Sequence, residues 1–250
     1  MPDVRLDFDP QRELEELKGY LGDAYQQDAL EHYQETLDEE WAGCGDEDGF
    51  YRQSHGYLYN LTAFAMTGTK LPYVRELTRR VPPGARVLDY GCGIGSDGLM
   101  LLKAGYRVEF ADFDNPSTAY LRWRLEQQGL DAAVHDLDKE VPDGFDAAYA
   151  FDVIEHVRDP WAFLREMEQR AALVEVNLLE FDEHEQELHY ELPIPDMLGY
   201  TAERGLERYR VYYGSSHLVL YRPERVSGAR RLRNRLAVAA EGLRRRVRRR

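Results

Sequence analysis

Apolar residues recur every three to five positions in the first 41 residues, a spacing close to that of an amphipathic helix. We predict one or two helices over residues 10–41, then turn residues over Gly43–Gly49. A further helix should reach about Met66, and another should span Leu71–Val81 before two prolines. The first 80 residues are therefore predicted to form a helical cap.

From Ala85 onward, short apolar runs alternate with segments of helical periodicity. This order predicts a parallel sheet with helices on both faces. The predicted strands are residues 86–89, 106–111, 132–135, 145–151 and 171–177, and the predicted helices are residues 98–104, 116–128 and 160–170.

A different pattern closes this region. After a predicted helix over Pro195–Glu203, two β-rich runs, Leu206–Tyr213 and His217–Tyr221, are separated by three turn residues. Such a short connection predicts an antiparallel hairpin. The expected fold is therefore α/β, a doubly wound, mostly parallel seven-stranded sheet that ends in an antiparallel hairpin.

The end of the chain combines apolar and basic residues with helical spacing, which predicts a basic C-terminal helix. Such a helix could lie on anionic lipid, a peripheral membrane contact. Alternatively, it rests on the acidic body of the protein or forms a loosely ordered end. The predicted apolar stripe is Leu232, Leu236, Ala239, Leu243 and Val247.

Charge is distributed unevenly along the chain. The net charge is −14, but residues 222–250 carry about +10, so the remainder carries about −24. Such an acidic body is a poor general binder of nucleic acid, and no nucleic-acid partner is expected. The predicted domains are a cap and lid over residues 1–80, a main domain over 81–222 and an Arg-rich tail over 223–250.

The start of the chain lacks the basic and then apolar run of a signal peptide, and no apolar stretch approaches bilayer length. Cys44 and Cys92 form neither a metal-binding spacing nor a disulfide framework. We therefore expect a soluble protein in a reducing cytoplasm. Its oligomeric state is not predicted.

The strongest chemical signal is Asp89-Tyr90-Gly91-Cys92-Gly93-Ile94-Gly95, directly after a predicted strand. Alternating glycines let the backbone approach a ligand at a helix N-terminus. A dinucleotide fingerprint has the spacing Gly-x-Gly-x-x-Gly, whereas here the third glycine comes one residue early. This spacing argues against a nicotinamide-dependent oxidoreductase.

The glycine-rich segment resembles the first motif of class I S-adenosylmethionine-dependent methyltransferases. The segments around Asp112, around Asp136 and over Phe151–Val157 agree with that family in order and spacing, across about residues 80–222. The resemblance implies that S-adenosylmethionine is the cofactor. It also implies that Asp112 binds the ribose hydroxyls, with Phe113 on the adenine, and that Asp136 accepts from the adenine amino group beside Leu137. The cofactor-binding residues implied are Asp89, Gly91, Cys92, Gly93, Asp112, Phe113, Asp136, Leu137 and Phe151.

We expect the acceptor to be a hydroxyl of a small molecule or a sugar, and transfer to a hydroxyl would need a general base. His156, which follows the fourth strand, is the first candidate, and His189, beyond the fifth strand, is the second. A packing or capping role for His156 stays open. The spacing of His184 and His189 does not place both rings on one helical face, so a metal site is not expected.

A segment rich in Tyr, Arg and His, Phe50–Tyr59, precedes the cofactor motif and resembles the lid of many such enzymes. The alternative is that its tyrosines form the core of the cap. The open alternatives for function are methylation of nitrogen or carbon in a small molecule, and a non-catalytic cofactor-binding protein. The predicted substrate-binding residues are Tyr51, Arg52, His55, Tyr57, Tyr59, His184 and Tyr190.

Overall fold

The computed structural model describes residues 4–44, 47–181 and 189–248. Its strands are β1 (Arg86–Tyr90), β2 (Arg107–Asp112), β3 (Val134–Asp136), β4 (Ala147–Ala150), β5 (Val174–Leu179), β6 (Arg204–Tyr212) and β7 (Ser216–Arg225).

These strands form a seven-stranded sheet in the order β3-β2-β1-β4-β5-β7-β6. Strand β2 pairs in parallel with both β1 and β3, and β4 pairs in parallel with β5. Strand β7 is antiparallel to both β5 and β6. The predicted fold, a mostly parallel sheet ended by an antiparallel hairpin, is confirmed.

The helices flank these strands in the chain order that the sequence predicted from β1 onward. They are α1 (Pro10–Leu21), α2 (Gln27–Glu31), α3 (Tyr33–Gly43), α4 (Glu47–Gln53), α5 (Gly56–Thr67), α6 (Leu71–Thr78), α7 (Ser96–Lys103), α8 (Pro116–Gln128), α9 (Pro160–Arg170), α10 (Ile194–Ala202) and α11 (Gly228–Arg248).

The chain divides by internal contacts into two units, residues 1–141 and residues 142–250. The predicted domain boundaries near residues 80 and 222 stay predictions. No helix within the described ranges is long and apolar enough to cross a membrane.

In the first unit the cap is more divided than the sequence predicted. Helix α1 begins at Pro10, where the Asp9 side chain accepts from two backbone N–H groups. It ends at Leu21, and the next residue, Gly22, has a positive φ of 52°, which glycine adopts readily. Three helices and a 3-10 turn therefore replace the predicted one or two helices. The predicted turn over Gly43–Gly49 is also wrong at its end, because helix α4 already begins at Glu47.

The cap packs directly on the beginning of the sheet region. Leu17 of α1 and Leu58 of α5 are almost fully buried in one cluster with Ile94 of the glycine loop and Tyr120 of α8. Burial of such side chains contributes about 1.5–3 kcal/mol each. The cap helices are therefore part of the same core as the glycine loop.

In the second unit, β5 lies between β4 on one side and the β7–β6 hairpin on the other. Strand β4 is shorter than predicted because Phe145 forms only an isolated bridge to Ala171. The predicted C-terminal helix is present as α11.

Candidate cofactor and acceptor sites

The glycine loop follows β1 with its backbone in an unusual conformation. Gly91, Gly93 and Gly95 all have positive φ, at 78°, 52° and 73°. A Cβ at Gly95 would lie 2.4 Å from Cδ1 of Leu121, and one at Gly93 would lie 2.9 Å from Cδ1 of Leu61. The loop therefore requires glycine both for its conformation and for its close contacts.

Asp112, the last residue of β2, fixes the far side of this loop. Its Oδ2 accepts from the backbone N–H of Gly93 at 2.7 Å, and its Oδ1 accepts from the N–H of Phe113 at 2.7 Å. Burial raises the pKa of the Asp112 carboxyl, while these two hydrogen bonds oppose the shift. Each carboxylate oxygen keeps lone pairs that could accept from a ligand hydroxyl.

Asp136, the last residue of β3, is already engaged by its neighbours. Its Oδ1 accepts from the Asp138 backbone N–H at 3.1 Å, and its Oδ2 lies 3.0 Å from the Lys139 ammonium. These contacts lower the pKa of the Asp136 carboxyl, the Asp138 N–H bond most strongly. Leu137 donates its N–H to the Asp112 carbonyl, which joins the two acidic strand ends.

The predicted lid contacts this edge through Arg52. The Arg52 guanidinium forms a bidentate ion pair with Asp138. Its carbon also lies 4.3 Å from the centre of the Phe113 ring, a cation–π distance. Arg52 therefore lies against the ring predicted to pack on adenine. Asp138 was not predicted, because nothing in its local sequence links it to an arginine 86 positions away.

The other lid residues divide into two groups. Tyr51 and Tyr57 are half-buried and contact each other edge-to-face at 5.6 Å, and the Tyr51 carbonyl accepts from Asn115. His55 is exposed. Tyr59 lies in the core of the cap and accepts from the Gln26 N–H, which matches the alternative interpretation of this tyrosine as a core residue.

A buried arginine that sequence reasoning missed supports the glycine loop. Arg124 of α8 is only 1% exposed and donates to the Ile94 carbonyl and the Ser96 hydroxyl, each at 2.9 Å. Its other nitrogens pair with Glu13 at 2.8 Å and Glu16 at 2.7 Å, both on helix α1. The arginine therefore ties the cap to the loop.

These features fit a cofactor with a ribose and a charged amino-acid part. The loop provides close backbone approach, and Asp112 provides a fixed carboxylate at the end of the neighbouring strand. Asp89 is buried at the end of β1, and a Cβ at Gly98 would lie 2.2 Å from Phe110. Gly98 thus keeps α7 close to the strands, a role that the sequence did not reveal.

The half-buried Cys92 of the glycine loop is not a reactive nucleophile. Its pKa is raised, chiefly by burial, which disfavours the reactive thiolate.

In the second unit, the residue two positions after β4 has an unusual backbone conformation. Asp152 has a φ of 55°, unusual for a residue with a side chain. Its N–H donates to Oδ1 of Asn177 at 2.8 Å, and the Asn177 amide donates back to Oδ1 of Asp152 at 2.6 Å. Asn177 also donates to Ser216, and it is fully buried. Phe151, the residue before Asp152, is buried, and its ring stacks on that of Tyr149 with the ring centres 4.8 Å apart.

The two candidate general bases, His156 and His189, lie side by side. The rings of His156 and His189 are 4.6 Å apart, and Phe181 stacks on His189 at 4.0 Å. Tyr190 donates its N–H to the Glu155 carbonyl at 2.7 Å, which holds the 189–190 segment beside the residues after β4. His184 lies outside the described residues.

A second polar cluster lies at the end of β5. His217 of β7 contacts Tyr209 at 2.7 Å and Glu180 at 2.9 Å, and Glu180 forms a bidentate pair with Arg245 of α11. The hydrogen bond from Arg245 is the main cause of the lowered pKa of Glu180. Among the described residues, no group of three or more His, Cys, Asp or Glu side chains could hold a metal ion.

The fold and the glycine loop define the class of protein, a class I methyltransferase fold. A family model for a methyltransferase domain matches residues 67–219, so the chain belongs to the methyltransferase-domain family.

Curated relatives match a shorter stretch. A ubiquinone biosynthesis O-methyltransferase of Xanthomonas campestris is 33% identical over 106 residues, which cover 40% of this chain and 44% of the relative. The protein of the same name from Caulobacter vibrioides is 29% identical over 126 residues, 48% of this chain and 50% of the relative. The chain thus spans half or less of the length of these relatives.

Solved structures show the same fold at low identity. Magnesium protoporphyrin IX methyltransferase from Synechocystis PCC 6803, with S-adenosylmethionine bound, is 16% identical with a TM-score of 0.52, over 80% of this chain and 99% of that chain. The methyltransferase SibL, in its apo form, is 16% identical with a TM-score of 0.54, over 86% and 75%.

Proposed function

We propose that this methyltransferase transfers the methyl group of S-adenosylmethionine to a hydroxyl of a small-molecule or sugar acceptor. The observation that carries the proposal is the pairing of His156 with His189 beyond the ends of β4 and β5. In open α/β sheets, ligands bind outside the carboxyl ends of the strands. The curated relatives are O-methyltransferases, which supports an oxygen acceptor.

On the cofactor side, the proposal assigns binding to the first unit. S-adenosylmethionine supplies a methyl group on a positively charged sulfur. The glycine loop with Asp89 and Gly93 would approach the amino-acid part of the cofactor, and Asp112 would accept from the ribose hydroxyls. Phe113 and Leu137 would line the adenine, with Asp136 as acceptor for its amino group.

On the acceptor side, a hydroxyl is a poor nucleophile until its proton is removed. Histidine is suited to take that proton near neutral pH. We assign the removal of this proton to His156, and His189 beside it would orient the His156 ring. Phe181 restricts the His189 ring through stacking, and restricted rings preserve a productive geometry.

The test is a comparison of histidine variants in turnover assays with a panel of hydroxylated and amine acceptors. His156→Ala should lower turnover with a hydroxyl acceptor by about 10²–10⁴-fold while leaving cofactor affinity nearly unchanged. The matched control is His32→Ala, because His32 is half exposed on the helical cap and should not affect turnover.

Two results would redirect the proposal. Unchanged turnover in His156→Ala and in His189→Ala would favour a nitrogen or activated carbon acceptor, for which positioning alone suffices. Cofactor binding without turnover on any acceptor would favour a non-catalytic binding protein. We further propose a cytoplasmic protein that does not act on nucleic acid, supported by Cys44 and Cys92, which form no disulfide in the described part of the chain, and by the acidic body.

A further inference from the structure

Three leucines of the apolar stripe of helix α11 face solvent. Leu232, Leu236 and Leu243 are 62%, 62% and 64% exposed, which makes them the most exposed leucines within the described ranges. Their spacing of four and then seven residues places them on one face of the helix. A row of large apolar side chains in water is unfavourable unless something covers it.

The opposite face of α11 attaches the helix to its own unit, and it does so with polar groups. Asn234 is buried and donates to the Ala202 and Arg204 carbonyls at 3.1 and 2.9 Å. Glu241 is buried and accepts from the N–H of Val211 on the edge strand β6 at 3.4 Å. Together with the pair between Arg245 and Glu180, these contacts hold the helix with its leucines outward.

Arginines flank the leucine stripe on both sides. At about 100° per residue, Arg233 falls on one side of the stripe and Arg235 on the other. Both are exposed, as are Arg230, Arg231 and Arg244. Arg235 pairs with Glu203 at 3.0 Å, and Arg244 with Glu241 at 3.4 Å, while no carboxylate in the described part of the chain pairs with Arg233. The exposed face is therefore apolar at its centre and cationic at its margins.

We propose that α11 docks this face onto the surface of an anionic phospholipid bilayer. Helices with an apolar face and arginine margins lie in the plane of the bilayer interface, with the apolar side chains among the acyl chains and the cations at the headgroups. The rest of the chain carries about −24, so an anionic surface repels the body and favours approach through α11.

Charge favours a membrane over a second copy of the chain as the occupant. Two α11 helices that packed through their leucines would bring the arginine margins of both helices together, and like charges at such distances repel. A polyanion such as RNA would satisfy the arginines but would leave the leucines exposed. Only an anionic bilayer satisfies both the apolar centre and the cationic margins.

The experiment is co-sedimentation of the full chain with vesicles of phosphatidylglycerol and phosphatidylcholine, compared with vesicles of phosphatidylcholine alone. Binding should require phosphatidylglycerol and should weaken with added salt. The variant Leu232→Gln/Leu236→Gln/Leu243→Gln should lower the partition coefficient by about 100-fold, because each leucine loses its favourable transfer into the acyl region. Since these side chains are exposed, its melting temperature should not change.

The arginine margins have their own variants. Arg233→Gln/Arg235→Gln should lower binding by about 25-fold, roughly fivefold for each charge lost at the surface. The control, Arg122→Gln/Arg165→Gln, removes two exposed arginines elsewhere and should bind like the unaltered protein. Tyr213→Asn removes an equally exposed apolar residue outside α11 and should also bind normally.

Three results would overturn the proposal. The first is equal binding to both kinds of vesicle, and the second is unchanged binding by the triple leucine variant. The third is the absence of vesicle binding together with a dimer in analytical ultracentrifugation that the triple leucine variant abolishes, which would assign the stripe to a second copy of the chain. None of these results depends on the identity of the methyl acceptor.

Discussion

Single carboxylates at strand ends have two different environments in the first unit. Asp112 accepts from the backbone N–H groups of Gly93 and Phe113, so it organises the loop as well as offering acceptor sites. Asp136 is occupied by the Asp138 N–H and by Lys139. A ligand that needs Asp136 must share it with these partners, whereas Asp112 has lone pairs to spare. The two residues should therefore contribute unequally to cofactor affinity.

We expect Asp112→Ala to weaken S-adenosylmethionine binding more than Asp136→Ala does. Asp112 would lose two charge-assisted hydrogen bonds to the ribose, each worth about 1.5–3 kcal/mol, as well as the bonds that order the loop. Titration calorimetry measures the difference, and Asp114→Ala is the control because the Asp114 side chain is exposed and pairs with Arg122. An equal loss, or a larger one for Asp136→Ala, would contradict the assignment of Asp112 to the ribose.

We also expect Arg124→Gln to destabilise the fold strongly. The substitution leaves Glu13 and Glu16, which are 12% and 13% exposed, without their cationic partner. Removal of one member of a buried ion pair costs about 3–5 kcal/mol. Denaturant unfolding measures this loss. Arg122→Gln, two residues away on the exposed face of the same helix, should cost less than about 1 kcal/mol; similar losses in both variants would refute the role of Arg124.

At the scale of whole elements, helix α11 is attached to its unit partly by an ion pair whose charge depends on pH, the pair between Arg245 and Glu180. The Arg245 hydrogen bond lowers the pKa of Glu180, with His217 and Tyr209 facing the same cluster. A carboxyl with a lowered pKa contributes stability above its ordinary pKa of about 4.5, and that contribution is lost as the pH falls through the lowered value. Attachment of α11 at this point should therefore weaken in acid.

Arg245→Gln tests this attachment. At pH 7 it should lower the melting temperature by about 2–4 °C, corresponding to about 1 kcal/mol for a partly solvent-screened pair. The difference from the unaltered protein should shrink as the pH falls below about 4.5, because protonation of Glu180 removes the pair in both proteins. Thermal unfolding monitored by circular dichroism over this pH range measures it. A difference that does not vary with pH would mean that Arg245 acts only through packing.

The bounds of helices that begin with a capping residue and a proline were predicted well, and the bounds of elements without such residues were not. The bounds of α8 and α9 match the prediction because Asn115 and Asp159 cap their first turns directly before prolines. The prediction of a turn up to Gly49 was wrong because α4 begins at Glu47, among residues whose composition favours turns. The amphipathic pattern of α11 was predicted correctly, but the pattern does not state which face meets the body. That face is polar, through Asn234 and Glu241.

At the scale of the whole molecule, the parts of the candidate cofactor site that the sequence predicts are those contiguous along the chain. The glycine loop follows a strand and Asp112 is the last residue of one, so their local order identifies them. Arg124 and its partner Glu13 are 111 positions apart, and Asp152 and Asn177 are 25 positions apart. Such pairs arise only when the strands and helices have assembled, because no periodicity in the sequence links the two partners.

Cofactor binding at the candidate site should also change the stability of the whole chain. A ligand that binds only the folded state, at 100 times its dissociation constant, raises the free energy of unfolding by about 2.7 kcal/mol. For a chain of this size we expect S-adenosylmethionine to raise the melting temperature by about 5–10 °C. A nicotinamide dinucleotide should produce no shift, because Gly95 stands one residue earlier than the third glycine of a dinucleotide site. Thermal unfolding with each ligand decides between them, with Asp112→Ala as the control that should lose most of the S-adenosylmethionine shift. Stabilisation by the dinucleotide instead would refute the assignment of this loop to S-adenosylmethionine.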